Sequence, residues 1–529
     1  MSLVVSVAGK ALAAVAANID QLVADKVASR IAAKDFTLWG KDAEAESSIR
    51  LGWVNSAADS QALVAGILAL RDEFAGKGVD RFILCGMGGS SLAPEVITQT
   101  AGVELVVLDS TDADQIGHAL AGDIKRTAII VSSKSGSTVE TDSQKRTFEK
   151  AFTDAGIDKT DRVVIVTDPG SPMEAAAKAD GYRIFNADPT VGGRYSALTA
   201  FGLVPSGLAG ADIQALLDDA REVSALLEQD NAANPGLILG AALARTASAN
   251  GFRDKVGIVG DGTSIVGFGD WAEQLIAEST GKIGKGILPV VLDVNSPEIG
   301  LDDVVIARIV ADGATAAGDE IAVAGPLGAQ FLVWEYATVV ASRLIGINPF
   351  DQPDVESAKI AARGMLEQRD EVVSPLFSAD SIEVRANELE ISGSSISDAL
   401  QSLLQKLDDD EGYVSIHAYL DRTSVPEAAE LRDLIANKTR RPVTFGWAPR
   451  FLHSTGQYHK GGPRQGIYLQ IVSQAQQDIQ VPGRDFSFGE LIASQAAGDA
   501  KVLGALGRPV LTLTLADAKA GIAAIKNAI

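Results

Sequence analysis

Polar and apolar positions recur at helical spacing through residues 1–75, which predicts an opening run of helices. After that the pattern changes: short, nearly continuous apolar runs rich in β-branched residues take turns with longer stretches of helical periodicity. Arg81–Cys85, Leu105–Leu108, Thr127–Val131, Arg162–Val166, Lys255–Val259 and Ile287–Leu292 are such runs. A strand that is apolar throughout must be covered on both faces, and strands separated by helices pair in parallel. The pattern therefore predicts an α/β architecture on parallel sheets. An acidic, Asn-rich stretch at Glu228–Pro235 and a polar, turn-rich one at Asp370–Gly393 mark two seams. Strand patterns return at Tyr413–Ala418, Pro442–Phe445, Gly466–Ile471 and Pro509–Leu515. The expected organisation is a helical segment over 1–75, sheet-based units over 76–230 and 231–375, and a further α/β segment over 376–529. For 529 residues, about two to four domains is the ordinary expectation.

Two apolar stretches invite a membrane reading, and neither supports it. Met1–Ala17 is interrupted by Lys10 and has no basic residue ahead of it, so it reads as an amphipathic first helix rather than a secretory leader. Ile321–Ile347 carries Glu335 and Arg343, whereas a span needs roughly 18 uninterrupted apolar residues. The net charge of −23 sets the chain against nucleic acid and anionic membrane surfaces, so neither is an expected partner. That charge also opposes an anionic substrate. A site for one must be built locally, from backbone N–H groups, hydroxyls and a few placed cations. Cys85 is the single cysteine, which excludes an intrachain disulfide and a cysteine-based metal site and fits a reducing compartment.

Two loops answer that requirement. Cys85-Gly86-Met87-Gly88-Gly89-Ser90-Ser91 follows one predicted strand and precedes a helix opening near Leu92–Pro94. Three glycines let backbone approach a ligand closely, and the helix N-terminus offers free N–H groups. A plain strand-to-helix turn needs only one glycine. A dinucleotide fingerprint fits less well, because the spacing G-x-G-G departs from G-x-G-x-x-G. Ser132-Ser133-Lys134-Ser135-Gly136-Ser137-Thr138 ends a second strand and surrounds one glycine with hydroxyls, a nest for phosphate oxygens. Taken alone it would read as a solvated connection. Two such loops at two strand ends of one unit point to a ligand outside the carboxyl edge of a parallel sheet. Gly89, Ser90, Ser133, Ser135, Ser137 and Thr138 are the candidate phosphate-binding residues.

These loops resemble those of the sugar-isomerase fold, and further segments narrow the resemblance to the glucose-6-phosphate isomerase family. Gly192-Gly193-Arg194-Tyr195-Ser196 resembles that family's arginine segment, and Gln274–Lys282 (QLIAESTGK) its catalytic-glutamate helix. Asn348–Lys359 (NPFDQPDVESAK) is similar to its catalytic-lysine segment and His453–Gln457 (HSTGQ) to its histidine segment. The resemblance implies two sugar-isomerase-type parallel-sheet subdomains followed by a C-terminal α/β segment. It also implies reversible isomerisation of glucose 6-phosphate and fructose 6-phosphate in glycolysis and gluconeogenesis, in the cytoplasm, by a homodimer whose site is completed across subunits.

The residue types suit that chemistry. Moving a proton between C1 and C2 through a cis-enediol needs one base serving adjacent carbons, and Glu278 on a rigid helix is the candidate. Gln274 lies one turn earlier on the same face, in reach of a substrate hydroxyl. Opening the sugar ring needs a group titrating near neutrality, and the chain has four histidines: His118, His417, His453 and His459. The resemblance selects His453 for ring opening, with His459 as second choice and a surface position its alternative. It also implies that Lys359 assists at the ring oxygen, that Arg194 stabilises the enediolate, and that Gln352 contacts substrate. Proton transfer alone accomplishes the change, so neither metal nor organic cofactor is expected.

The order of the segments is unusual. In the family the histidine segment falls between glutamate and lysine, whereas here the order is Glu278, Lys359, His453. That arrangement resembles the isomerase half of transaldolase–glucose-6-phosphate isomerase fusions. The residues ahead of Gly86 are too few for a barrel of roughly 250 residues, so transaldolase activity is not expected. Two other functions fit the motifs: a relaxed isomerase that also accepts mannose 6-phosphate, if Ser279 and Thr280 leave room for the C2 epimer, and a non-catalytic phosphosugar-binding regulator.

Overall fold

The computed structural model describes residues 3–368 and 374–529; within the helix Val355–Gln368, the side chains of residues 357–359, 365, 367 and 368 lie outside the description. Three large sheets organise the chain. The first is wholly parallel, in the order Val106–Leu108, Arg81–Gly86, Thr127–Ser132, Val163–Thr167, Arg183–Asn186. Thr127–Ser132 and Val163–Thr167 are buried at every position, as the apolar runs Ala128–Val131 and Val163–Val166 at their centres require. Register does the rest: Gly86 pairs with Ser132, so the carboxyl ends of two neighbouring strands are level and the glycine and serine loops leave the sheet side by side.

The second sheet runs Val4–Val7, Glu320–Ala324, Val304–Val310, Lys255–Asp261, Leu288–Leu292. It is parallel except at its first strand, where Val4–Val7 pairs antiparallel with Ile321–Ala324. The helical reading of 1–75 did not anticipate this strand, since four residues are too few to separate a period of 2 from one of 3.6. The helix Gly9–Ala24 follows it. The apolar run Ile321–Ile347 resolves into the strand Glu320–Ala324 and the helix Leu327–Ile345. That helix is buried nearly all round, as an all-round apolar helix must be in a globular protein. Its Glu335 is 1% exposed, and burial pushes the carboxyl well above its usual range. Among the described residues no helix is long and apolar enough to cross a membrane.

A single apolar cluster joins these two sheets, with Leu84, Ile130 and Val164 from one, Ile258, Val305 and Val323 from the other, and the helices Ala200–Ala209, Pro235–Arg245 and Leu327–Ile345 between them. The third sheet has its own core. Its order is Phe377–Ala379, Ile382–Asn387, Val510–Leu515, Gly466–Ser473, Tyr413–Tyr419, Val443–Trp447, with the first two strands antiparallel and the other four parallel. Buried charge ties it to the rest of the molecule. Arg422 and Arg450 donate to the two oxygens of Glu95, at 2.8 and 2.7 Å, and Arg450 also reaches Asp270 at 3.0 Å. Breaking one member of such a desolvated set strands the others, so the C-terminal unit is held in one orientation. Arg450 opens the turn that carries His453.

Candidate active site

The glycine loop becomes the turn Gly88–Ser90, followed by the helix Leu92–Ala101. Gly88 has φ 54°, and a Cβ there would lie 2.5 Å from the His453 carbonyl oxygen and 3.1 Å from Gln274 Nε2. A Cβ on Gly89 would overlap the Gly193 carbonyl. The glycines thus admit three other segments, those of Arg194, Gln274 and His453, to van der Waals contact with the loop backbone.

The helix Phe268–Thr280 places Gln274 and Glu278 on one face at i and i+4. Gln274 Nε2 donates to Glu278 Oε2 at 3.1 Å and to the His453 carbonyl at 2.8 Å. Gln274 Oε1 is buried and accepts no hydrogen bond among the described residues. Arg194, 3% exposed, stands against the same glutamate, with Nη1 3.1 Å from Glu278 Oε1. Its guanidinium is held on its other sides: Nε donates to Ser279 Oγ at 2.9 Å, Nη1 to Gln352 Oε1 at 2.9 Å and Nη2 to the Pro349 carbonyl at 2.7 Å. This planar fork leaves the cation no freedom to rotate, and it faces one carboxylate. Lys282, which sequence reasoning left without a role, supports the arrangement from below. Its Nζ bonds the Asn348 carbonyl and Asp351 Oδ1, both at 2.8 Å, and burial, reinforced by the Arg194 charge, pushes its pKa down to about 8.

The serine loop enters the helix Val139–Asp154. Ser133 Oγ sits 2.9 Å from Thr138 Oγ1 and accepts from the Gly136 N–H at 3.2 Å, while Ser137 Oγ donates to Ser135 Oγ at 3.2 Å. A cavity of about 200 Å³ is lined by Ser135, Ser137, Thr138, Glu140 and His453, with Glu356 and Arg363 from the helix Val355–Gln368. Gly89, Ser90 and Ser133 are not among its lining residues. His453 Nε2 lies 2.9 Å from Glu140 Oε1. Sequence reasoning missed Glu140, since a carboxylate in the first turn of a helix is an ordinary partner of the helix dipole.

The other expected residues divide. Gln352 meets Arg194, as described. Lys359 falls within the helix Val355–Gln368, and its side chain lies outside the described residues. His459 is neither in the cavity nor at the surface. It is 1% exposed, with Nδ1 3.2 Å from the Tyr413 hydroxyl and Nε2 3.3 Å from Ser415 Oγ. Burial, with neighbouring His417 and Lys460 adding to it, holds its pKa well below the usual imidazole value. The polar stretch 453–459 is therefore core at one end, because the helix Gly456–Gly461 turns His459 inward against the third sheet. Ser279 and Thr280 are also fully buried; Ser279 binds Arg194 and Tyr195, and Thr280 donates to the Ile276 carbonyl. Neither is among the residues lining the cavity, and Arg194, Gln274 and Glu278 are not among them either.

The sequence profile of phosphoglucose isomerase matches residues 13–287, a range that holds both loops, Arg194 and Glu278 and stops before Gln352, Lys359 and His453. A probable glucose-6-phosphate isomerase of Haloarcula marismortui is 34% identical over 211 residues, 39% of this chain and 48% of the relative. The glucose-6-phosphate isomerase of Synechococcus elongatus is 29% identical over 363 residues, 57% of this chain and 69% of the relative. The match thus spans about half of the first relative and about two thirds of the second. Among solved structures, a hypothetical protein of Thermus thermophilus superposes with a TM-score of 0.58 at 24% identity, over 69% of this chain and 100% of that one. A glucose-6-phosphate isomerase of Chlamydia trachomatis gives 0.51 at 19%, over 63% and 75%. These two likenesses show the fold. With just over half of its residues matched, from the first helix through the glutamate helix, the chain belongs to the phosphoglucose isomerase family.

Proposed function

We propose that this chain interconverts glucose 6-phosphate and fructose 6-phosphate by ring opening and proton transfer through a cis-enediol. The observation that carries the proposal is the Glu278 carboxylate, gripped by Arg194 at 3.1 Å and Gln274 at 3.1 Å, with Gln274 in turn bonded to the backbone of a histidine that shares a cavity with the serine loop. The hydroxyls of Ser135, Ser137 and Thr138 receive the phosphate. In the cyclic substrate His453, paired with Glu140, gives a proton to the ring oxygen and takes up the one that the C1 hydroxyl loses, and Lys359 assists there. Glu278 then removes the proton from C2 and returns it to C1, while the hydroxyl proton at O2 moves to O1. Negative charge that develops on the enediol oxygens faces the Arg194 guanidinium, which neutralises it without taking up or losing a proton. Gln274 Oε1, buried without an acceptor's usual donor, suits a substrate hydroxyl. Gln352 acts by holding Arg194.

The same reading extends to the coarser expectations: two sugar-isomerase units and a C-terminal unit that carries the histidine, a homodimer, and a place in the cytoplasm and in glycolysis and gluconeogenesis.

Glu278→Gln is expected to lower kcat for fructose 6-phosphate by roughly 10²–10⁴-fold, while glucose 6-phosphate still raises the melting temperature of the variant. A coupled assay beside thermal unfolding decides it. Near-normal turnover in that variant would remove Glu278 as the base.

A further inference from the structure

Glu140 is not held by His453 alone. Gln495, 4% exposed on the helix Phe488–Ala505, donates its Nε2 to the same oxygen, Glu140 Oε1, at 2.7 Å. The orientation of that amide is set from its other end, where Gln495 Oε1 accepts from the Thr111 hydroxyl at 2.7 Å. Thr111 is itself fully buried. The chain of contacts therefore runs from Thr111 through Gln495 and Glu140 to the His453 imidazole, and joins the first sheet unit, the last third of the chain and the cavity. Gln495 and its neighbour Ser494 also line that cavity.

We infer that Gln495 is a positioning residue for ring opening: it holds the Glu140 carboxylate in the plane and place where it orients His453. The inference rests on the proposed isomerisation. An imidazole that alternates between neutral and charged forms needs a carboxylate oxygen that does not follow it, and the Gln495 amide bonds the very oxygen that meets His453. A neutral amide suits the place, because a cation would compete with His453 for the negative charge and a second carboxylate would repel Glu140. The residue lies beyond the range matched by the family profile, so the unusual C-terminal unit supplies part of the site and not only the histidine.

The test compares a substrate that must open with one that cannot close. Erythrose 4-phosphate, with O4 esterified, forms no ring, whereas glucose 6-phosphate does. Gln495→Met keeps side-chain length and loses the donor. It is expected to lower kcat on glucose 6-phosphate about tenfold, a fraction of the effect of losing a general acid–base group, with KM within about twofold. Turnover of erythrose 4-phosphate should change by less than about twofold. Thr111→Val, which only frees the amide to turn, should show the same selective loss at smaller size and covers the case in which Gln495→Met does not fold. Equal losses on both substrates, or none on either, overturn the inference while leaving the reaction in place. A wild-type chain that turns over neither hexose phosphate sinks the reaction and the inference together.

Discussion

The glycine loop and the serine loop leave neighbouring strands at the same level, and both look from their residues like cradles for an anion. Their surroundings differ. Around Gly88 and Gly89 the nearest atoms are protein: the His453 carbonyl, Gln274 and the Gly193 carbonyl. Around Ser135, Ser137 and Thr138 there is a cavity. Glycine and hydroxyl thus serve different ends here. The glycines allow other backbone segments to dock, which brings Arg194, Gln274 and His453 together; Ser135, Ser137 and Thr138 line open space and bond chiefly within their own loop.

That contrast can be broken by substitution. Gly89→Ala should have the largest effect, because its methyl would overlap backbone that cannot swing away. The expected outcome is a loss of about 1–3 kcal/mol in stability together with loss of most isomerase activity, read by denaturant unfolding and the coupled assay. If instead it folds normally and only raises KM, the loop is an anion site after all. Ser135→Ala combined with Ser137→Ala should leave the unfolding midpoint where it is. It should raise KM for glucose 6-phosphate roughly thirtyfold, at about 1 kcal/mol for each of the two donors lost. Inorganic phosphate should weaken as a competitive inhibitor in parallel. The smallest effect belongs to Gly193→Ala: nothing lies within 4 Å of a Cβ there, so stability should shift by no more than about 0.5 kcal/mol. A large loss at that position would mean that the Gly192–Tyr195 turn, and not the glycine loop, is the tight spot.

Much of this protein is legible without coordinates, for reasons that are local. Strands buried on both faces must be apolar throughout, so Thr127–Ser132 and Val163–Thr167 are visible as runs, whereas Val4–Val7 is too short to declare its period. Glu278 and Gln274 share a face because helix geometry puts i and i+4 there. The two histidines of the 453–459 segment show where legibility stops. Both stand among polar residues, yet one lines the cavity and the other lies among Tyr413, Ser415 and His417 in the interior. Nothing local separates them, since inward and outward are defined by what the short helix packs against.

By itself, then, the sequence determined the alternation of strand and helix, the parallel pairing that follows from it, and the kinds of group offered: a helix carboxylate, an arginine in a glycine turn, a hydroxyl-rich loop. Only the tertiary structure decided that Arg194 grips Glu278, that Glu140 is the partner of His453, and that Gln495 closes on Glu140 from the far end of the chain. Such contacts depend on distances between residues far apart along the chain, which periodicity and local spacing do not encode and which the packing of three sheets sets.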